Sequence, residues 1–288
     1  MRRLLLQDFR RTTRRLFLST LLLAAGAPAC RRSARQKART QSTKFRRVSV
    51  VATTPIVAEL VKKIAGDAAE VSCLLEQGAG MAALKRNGPT EGRLLTADAI
   101  IFVGLKAEPV LEESLQRAGA AGLKLCDLGA ALPQNRLMPH PTEPNNSNPY
   151  IWMDPDLWRS SVDHIVASLA ELQPAAAADI DTRGHTSRFD LKNLAEYLSE
   201  MGSLIPAENR RLRTLNTGLH YLGRFIGLTV EHAKPERDSL DARILEGLQL
   251  DTLQPPGKKL IARTEPRDLS TYDGLLNYVT DLIVLILR

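Results

Sequence analysis

Val48-Ser49-Val50-Val51-Ala52-Thr53-Thr54-Pro55 opens the folded part of this 288-residue chain. Its first five residues are β-branched or small and read as a short buried strand. Thr53-Thr54-Pro55 stops that strand and offers a helix N-cap followed by a proline, which a helix accepts in its first turn. Ile56, Val57, Leu60, Val61 and Ile64 then recur at helical spacing until Gly66-Asp67 ends the segment.

The same alternation continues outward. Strand-like runs return at residues 70–75, 99–103 and 123–125, with helical segments at 90–97 and 110–118 between them. A β-α-β-α order implies a parallel sheet covered on both faces. Proline, Asn and Ser crowd residues 139–149, which read as a loop. A helix with Val162, Ile165, Val166 and Leu169 in phase follows Tyr150-Ile151-Trp152-Met153-Asp154-Pro155. Residues 174–201 form a second long helical stretch, interrupted only by Gly184 and sparse in apolar positions. That sparseness suits a helix spanning between two lobes. A second α/β set begins after Leu204, with strands at 211–215 and 228–231, a helix at 219–226 and a closing helix at 272–287. The expected fold is α/β: two Rossmann-like lobes with parallel sheets, joined by one long helix, with a cleft between them. The divisions are 48–173 for the first lobe, 174–203 for the linking helix and 204–288 for a shortened second lobe.

The N-terminus reads as targeting sequence. Thr13-Arg14-Arg15-Leu16-Phe17-Leu18-Ser19 has the form of a twin-arginine export signal, followed by an apolar stretch and small residues running up to Cys30. Residues 1–29 are expected to be a signal peptide, with Cys30 taking a lipid after cleavage. Ala27 stands where such sites usually carry Leu, so plain cleavage or an uncleaved anchor stays open. Residues 31–47 hold eight Lys/Arg and no acid, so 30–47 read as a disordered basic tether beside an anionic membrane surface.

Charge distribution excludes one class of partner. Residues 1–47 carry fourteen Lys/Arg against a single acid, Asp8, which is +13; taken from the whole chain's +7, this leaves 48–288 at −6. The folded part is mildly acidic, and nucleic acid is not its expected partner. Cys73 and Cys126 each lie in an apolar run and read as buried thiols rather than a disulfide. No G-x-S-x-G, H-E-x-x-H, C-x-x-C or phosphate-cradling glycine loop occurs, so no enzymatic activity is expected.

Five pieces in order resemble the bacterial zinc/manganese solute-binding family of ABC importers. They are Ala97-Asp98-Ala99-Ile100-Ile101-Phe102 with Gly104-Leu105; Tyr150-Ile151-Trp152-Met153-Asp154-Pro155; Ile205-Pro206-Ala207-Glu208-Asn209-Arg210-Arg211; Tyr221-Leu222-Gly223-Arg224-Phe225-Ile226-Gly227-Leu228; and Thr271-Tyr272 with residues 277–283. The resemblance implies a monomeric, exported, membrane-anchored lipoprotein at the periplasmic face. It would bind its solute between the lobes and deliver it to an inner-membrane ABC permease.

The resemblance also implies where a metal would sit, held by three His and one carboxylate. Ala82, Tyr150 and Asn216 stand at the three imidazole positions, where Tyr and Asn are poor substitutes, and only the carboxylate position keeps its kind of ligand, as Asp251. A zinc or manganese site needs three or four converging donors, and alanine offers none. The family's ligand cleft is therefore expected at Ala82, Tyr150, Asn216 and Asp251 with its metal capacity impaired. Zinc or manganese enters only through the resemblance, and no other cofactor is read. Of the five histidines, His164 and His185 read as surface residues on helices. His140 lies in the proline-rich loop and His220 four residues after Asn216. A metal on His140, His220 and Asp251 is a second arrangement, set against ordinary polar roles for these histidines. Trp152 reads as core rather than cleft. The alternative function is a degenerate homologue that no longer binds metal and serves as a surface or partner-binding lipoprotein.

Overall fold

Four parallel strands in the order β2-β1-β3-β4 build the first lobe: β1 (Val48–Ala52), β2 (Ala69–Cys73), β3 (Ala99–Phe102) and β4 (Lys124–Asp127). The computed structural model describes residues 46–76, 83–214, 216–232 and 271–287, all within one compact unit spanning 45–288. Side chains alternate across the sheet as the strand period requires. Val48, Val50, Ala52, Ala99 and Ile101 face one core, shared with helices α1 (Pro55–Ala65) and α4 (Pro155–Leu172). Val51, Ile100 and Phe102 face the other, with α2 (Gly88–Leu95) and α3 (Glu112–Ala120). The sheet is thus covered on both faces, as its continuous apolar strands require.

Thr54 caps α1 as its sequence predicts: the hydroxyl accepts from Val57 N at 3.4 Å, and Pro55 takes the first turn. Asp154 caps α4, accepting from the backbone of Asp156 at 3.0 Å and Leu157 at 3.1 Å. Cys73 and Cys126 are free thiols on the two outer strands of the sheet. Three strand spacings of about 4.8 Å separate them, far beyond the roughly 7 Å Cα limit of a disulfide.

A single helix, α5 (Ala177–Ser203), joins the lobes. Near its start Arg183 donates to the carbonyls of Ile64 and Ala65, both at 2.9 Å, closing the end of α1. At its other end a Cβ on Gly202 would stand 2.4 Å from the carbonyl oxygen of Ile226 in the second lobe. Gly184 does not interrupt the helix. It is buried where α5 crosses α4, and a Cβ there would meet Val166 Cγ2 at 2.4 Å. The glycine is a packing device, setting how closely the two helices approach.

Among the described residues the second lobe has two parallel strands, β5 (Arg211–Thr214) and β6 (Thr229–His232), linked by α6 (Leu219–Phe225). The last helix, α7 (Tyr272–Leu287), returns along α5, where Tyr197 donates to Asp281 at 3.2 Å. Among the described residues no helix is long and apolar enough to cross a membrane.

The chain order reverses between β1 and β3, which makes their carboxyl ends the place where doubly wound sheets take ligands. Here Glu108 fills that crevice. Its carboxylate accepts from the Thr53 hydroxyl (2.6 Å) and from Val103 N (2.9 Å) and Gly104 N (3.2 Å). Burial holds the Glu108 carboxyl above the ordinary carboxylate range, and these donors work against that shift. The brace fixes an unusual turn in which Gly104, Leu105 and Lys106 have φ of 73°, 52° and 60°. Two non-glycine residues in the left-handed region are strained and persist only where surroundings hold them.

Two outcomes are expected from this packing. Gly184→Ala should lower unfolding free energy by about 1–3 kcal/mol through overpacking, although alanine is the better helix former by about 1 kcal/mol. Adding Val166→Ala should recover part of that loss in urea unfolding; simple additivity would contradict the close crossing. Glu108→Ala should cost about 2–4 kcal/mol by orphaning buried donors, read as a lower urea midpoint.

Candidate functional site

The loop from Met138 to Tyr150 carries the polar groups that face the second lobe. An isolated antiparallel bridge between Pro139 and Ser147 holds its two limbs together. His140 N donates to Asn146 O at 2.8 Å, and Lys106 Nζ donates to the Asn146 side chain at 2.9 Å. The strained turn after β3 therefore helps fix the loop.

Asn148 is the centre of the arrangement. It is fully buried, and each arm of its amide is used. Oδ1 accepts from Tyr150 N at 3.0 Å, and Nδ2 donates to Thr217 O at 3.0 Å. One side chain thus ties the segment bearing Tyr150 to the segment bearing Asn216. Tyr221, on α6, reinforces the joint: its hydroxyl accepts from Met138 N (3.0 Å) and donates to Asn148 O (3.2 Å). Arg224 lies with its guanidinium 5.6 Å from the Tyr221 ring centre, donates to Arg136 O at 3.3 Å and approaches Asp154 at 3.8 Å. Burial raises the proton affinity of both Asp154 and Tyr221, and nearby positive charge opposes this.

Tyr150 is half-buried, its ring 5.1 Å from that of Trp152. Trp152 is buried in the core, as expected, and its carbonyl accepts from Tyr272 Oη at 2.7 Å. Asn216 is half-buried and serves its own loop: Oδ1 accepts from Gly218 N, and its N–H donates to Thr214 Oγ1, both at 3.0 Å. Ala82, Asp251 and Cys30 lie outside the described residues.

The histidines divide as follows. His185 is exposed and His164 half-buried, both on helices. His220 is buried in the first turn of α6, and its Nε2 lies 3.3 Å from Nδ1 of His232, the last residue of β6. Burial, with the charges of His232 and His140 nearby, pushes the His220 pKa down to about 4. The side chain is therefore neutral at neutral pH. His140 has its Nδ1 3.2 Å from Thr142 Oγ1. Among the described residues no three His, Cys, Asp or Glu side chains converge as a ready metal site.

Sequence reading missed Asn148 and His232. A signal for the second existed: in a β-α-β unit the start of the helix and the carboxyl end of the strand share one edge, which places residues 220 and 232 together.

Residues 50–246, more than half of the chain, match the family described as ZnuA, zinc-uptake complex component A periplasmic. The manganese-binding lipoprotein MntA of Bacillus subtilis (strain 168) is 26% identical over 216 residues, which make up 75% of this chain and 67% of that protein. The zinc-binding protein TroA of Treponema pallidum (strain Nichols) is 25% identical over 182 residues, 63% of this chain and 58% of that one. The chain thus spans little more than half to two thirds of these curated relatives. The solved structure of the periplasmic zinc binding protein TroA from Treponema pallidum shares the fold, with a TM-score of 0.68 at 21% identity over 84% of this chain and 100% of that chain. Sequence motifs, two-lobed fold and family match agree, and the chain belongs to the zinc-uptake complex component A periplasmic family.

Proposed function

We propose that this protein is the extracytoplasmic receptor of a metal-type ABC importer. It takes a divalent transition cation between its lobes and presents it to an inner-membrane permease as a monomer, not as an enzyme. The observation that carries this reading is the joint at Asn148, which draws the segments of Tyr150 and Asn216 together at the lobe boundary. The family match and the shared fold support it. The relatives' names specify manganese in one case and zinc in the other, so kinship alone leaves the ion to chemistry.

In the same reading the signal peptide ends before Cys30, the cysteine carries the lipid, and residues 30–47 tether the folded part to the membrane. Ala82, Tyr150, Asn216 and Asp251 mark the family's ligand cleft, with Asp251 its remaining metal donor. A second reading has a specific observation in its favour: Tyr150 and Asn216 offer no imidazole. In that case the protein has lost its metal and acts as a surface or partner-binding lipoprotein.

Elemental analysis of untagged protein purified from an exporting host separates the two readings. About one equivalent of zinc, manganese or iron per chain is expected; a folded, metal-free protein that takes up none on incubation would support the second. Cys30→Ser should abolish palmitate labelling and release the protein from the membrane fraction, whereas unchanged labelling would refute the anchor.

A further inference from the structure

Helix α7 begins in a narrow groove away from the loop at Met138 to Tyr150. Glu59 and Lys63 of α1, Trp158 of α4, Asp190 of α5, and Tyr272 and Asp273 of α7 line it. Glu59 Oε2 accepts from Tyr272 N at 3.0 Å, so a side chain of the first lobe holds the start of the last helix. The Tyr272 hydroxyl donates to Trp152 O at 2.7 Å, and its ring centre lies 6.2 Å from that of Trp158. A shift at the start of α7 is therefore passed to Trp152, whose ring packs beside Tyr150.

Hydrogen bonding in this groove is one-sided. Glu59 Oε1, Asp273 Oδ1 and, one turn along α7, Asn277 Oδ1 are buried and accept no hydrogen bond among the described residues. All three are acceptors, so what the seam lacks is a donor. Lys63 is the one cation among the lining residues, set against three carboxyl groups, and its Nζ stands 3.5 Å from Glu59 Oε1. A carboxylate only accepts, whereas a protonated carboxyl gains an O–H donor. One proton on Glu59 or Asp273 thus removes a buried charge and supplies the missing donor together. Burial raises the proton affinity of both groups; Lys63 opposes this, while Asp273 adds to it at Glu59 and Asp190 adds to it at Asp273. Burial, with Asp273, Asp154 and Glu59 nearby, keeps the Tyr272 hydroxyl protonated, so its bond to Trp152 is not what titrates.

We propose that Glu59 and Asp273 form a proton-operated latch at the root of α7. A proton taken up by the pair seats the helix against α1; ionisation of both sets the two carboxylates and Asp190 against one another and loosens it, and Tyr272 carries the change to Trp152. The latch stands whether or not the protein binds a metal. Its direction follows from linkage. Unfolded carboxyl groups titrate near about pH 4, and the folded pair holds its proton to higher pH. The stabilisation is complete below the unfolded values and is lost as pH rises through the folded ones.

The chain's two tryptophans, Trp152 and Trp158, both adjoin Tyr272, so the intrinsic fluorescence of the folded full chain reads the latch. Titrated from about pH 8 down to about pH 5, above the ordinary carboxyl range, wild type is expected to show a fluorescence transition and a rising urea midpoint. Glu59→Gln combined with Asp273→Asn keeps both shapes and removes both charges. The transition should vanish in this variant, and its urea midpoint should gain on wild type as pH rises. Asp190→Asn changes an exposed residue and should move the transition to lower pH by relieving repulsion. Glu112→Gln, exposed on α3, should behave as wild type. A wild-type fluorescence that does not change with pH overturns the latch, as does a transition that persists unaltered in the double variant. Should the double variant fail to fold, Asp190→Asn decides alone: a transition left in place overturns the proposal.

Discussion

A buried amide group that uses both ends governs the geometry of the cleft. Asn148 holds Tyr150 with its oxygen and Thr217 with its nitrogen, and no water competes because the side chain is fully buried. A buried polar group left unpaired costs about 1–3 kcal/mol, so the two segments are held in register by the penalty for separating them. Tyr221 adds two more hydrogen bonds across the same joint, and Arg224 adds a partly buried contact with Asp154. The joint and the long helix together restrain the second lobe relative to the first.

The rest of the architecture serves that boundary. The β1/β3 crevice, where a lone doubly wound domain takes its ligand, is occupied by the Glu108 carboxylate and its three donors. The strained turn at Gly104-Leu105-Lys106 helps fix the loop from Met138 to Tyr150, since Lys106 reaches Asn146 in that loop. Helix α5 is bound at one end by Arg183 and closely approached at the other by Ile226, and it meets α4 at Gly184.

Much of this fold is legible in the sequence because it is written in local signals. The strand at Val48–Ala52, the Thr54 cap with Pro55 and the helix Tyr272–Leu287 all follow from periodicity and capping chemistry within a few residues. Gly184 shows where local reading stops. A glycine in a helix looks like an interruption, but its reason lies on α4, in Val166. The same holds for Asn148, whose partner is Thr217, and for Glu108, whose hydroxyl donor is Thr53. At the site, sequence comparison marks Tyr150 and Asn216 by position, whereas the His220–His232 contact emerges only when helix and strand are placed side by side.

The chemistry open to this family member turns on what the substituted positions can still offer. Tyr150 and Asn216 offer oxygen or amide donors to a cation that prefers nitrogen or sulfur. The most direct measurement is anomalous diffraction at the zinc absorption edge from crystals of the untagged protein grown with zinc. The account predicts a single strong peak at the lobe boundary, beside Tyr150 and Asn216. No peak at the lobe boundary would contradict it.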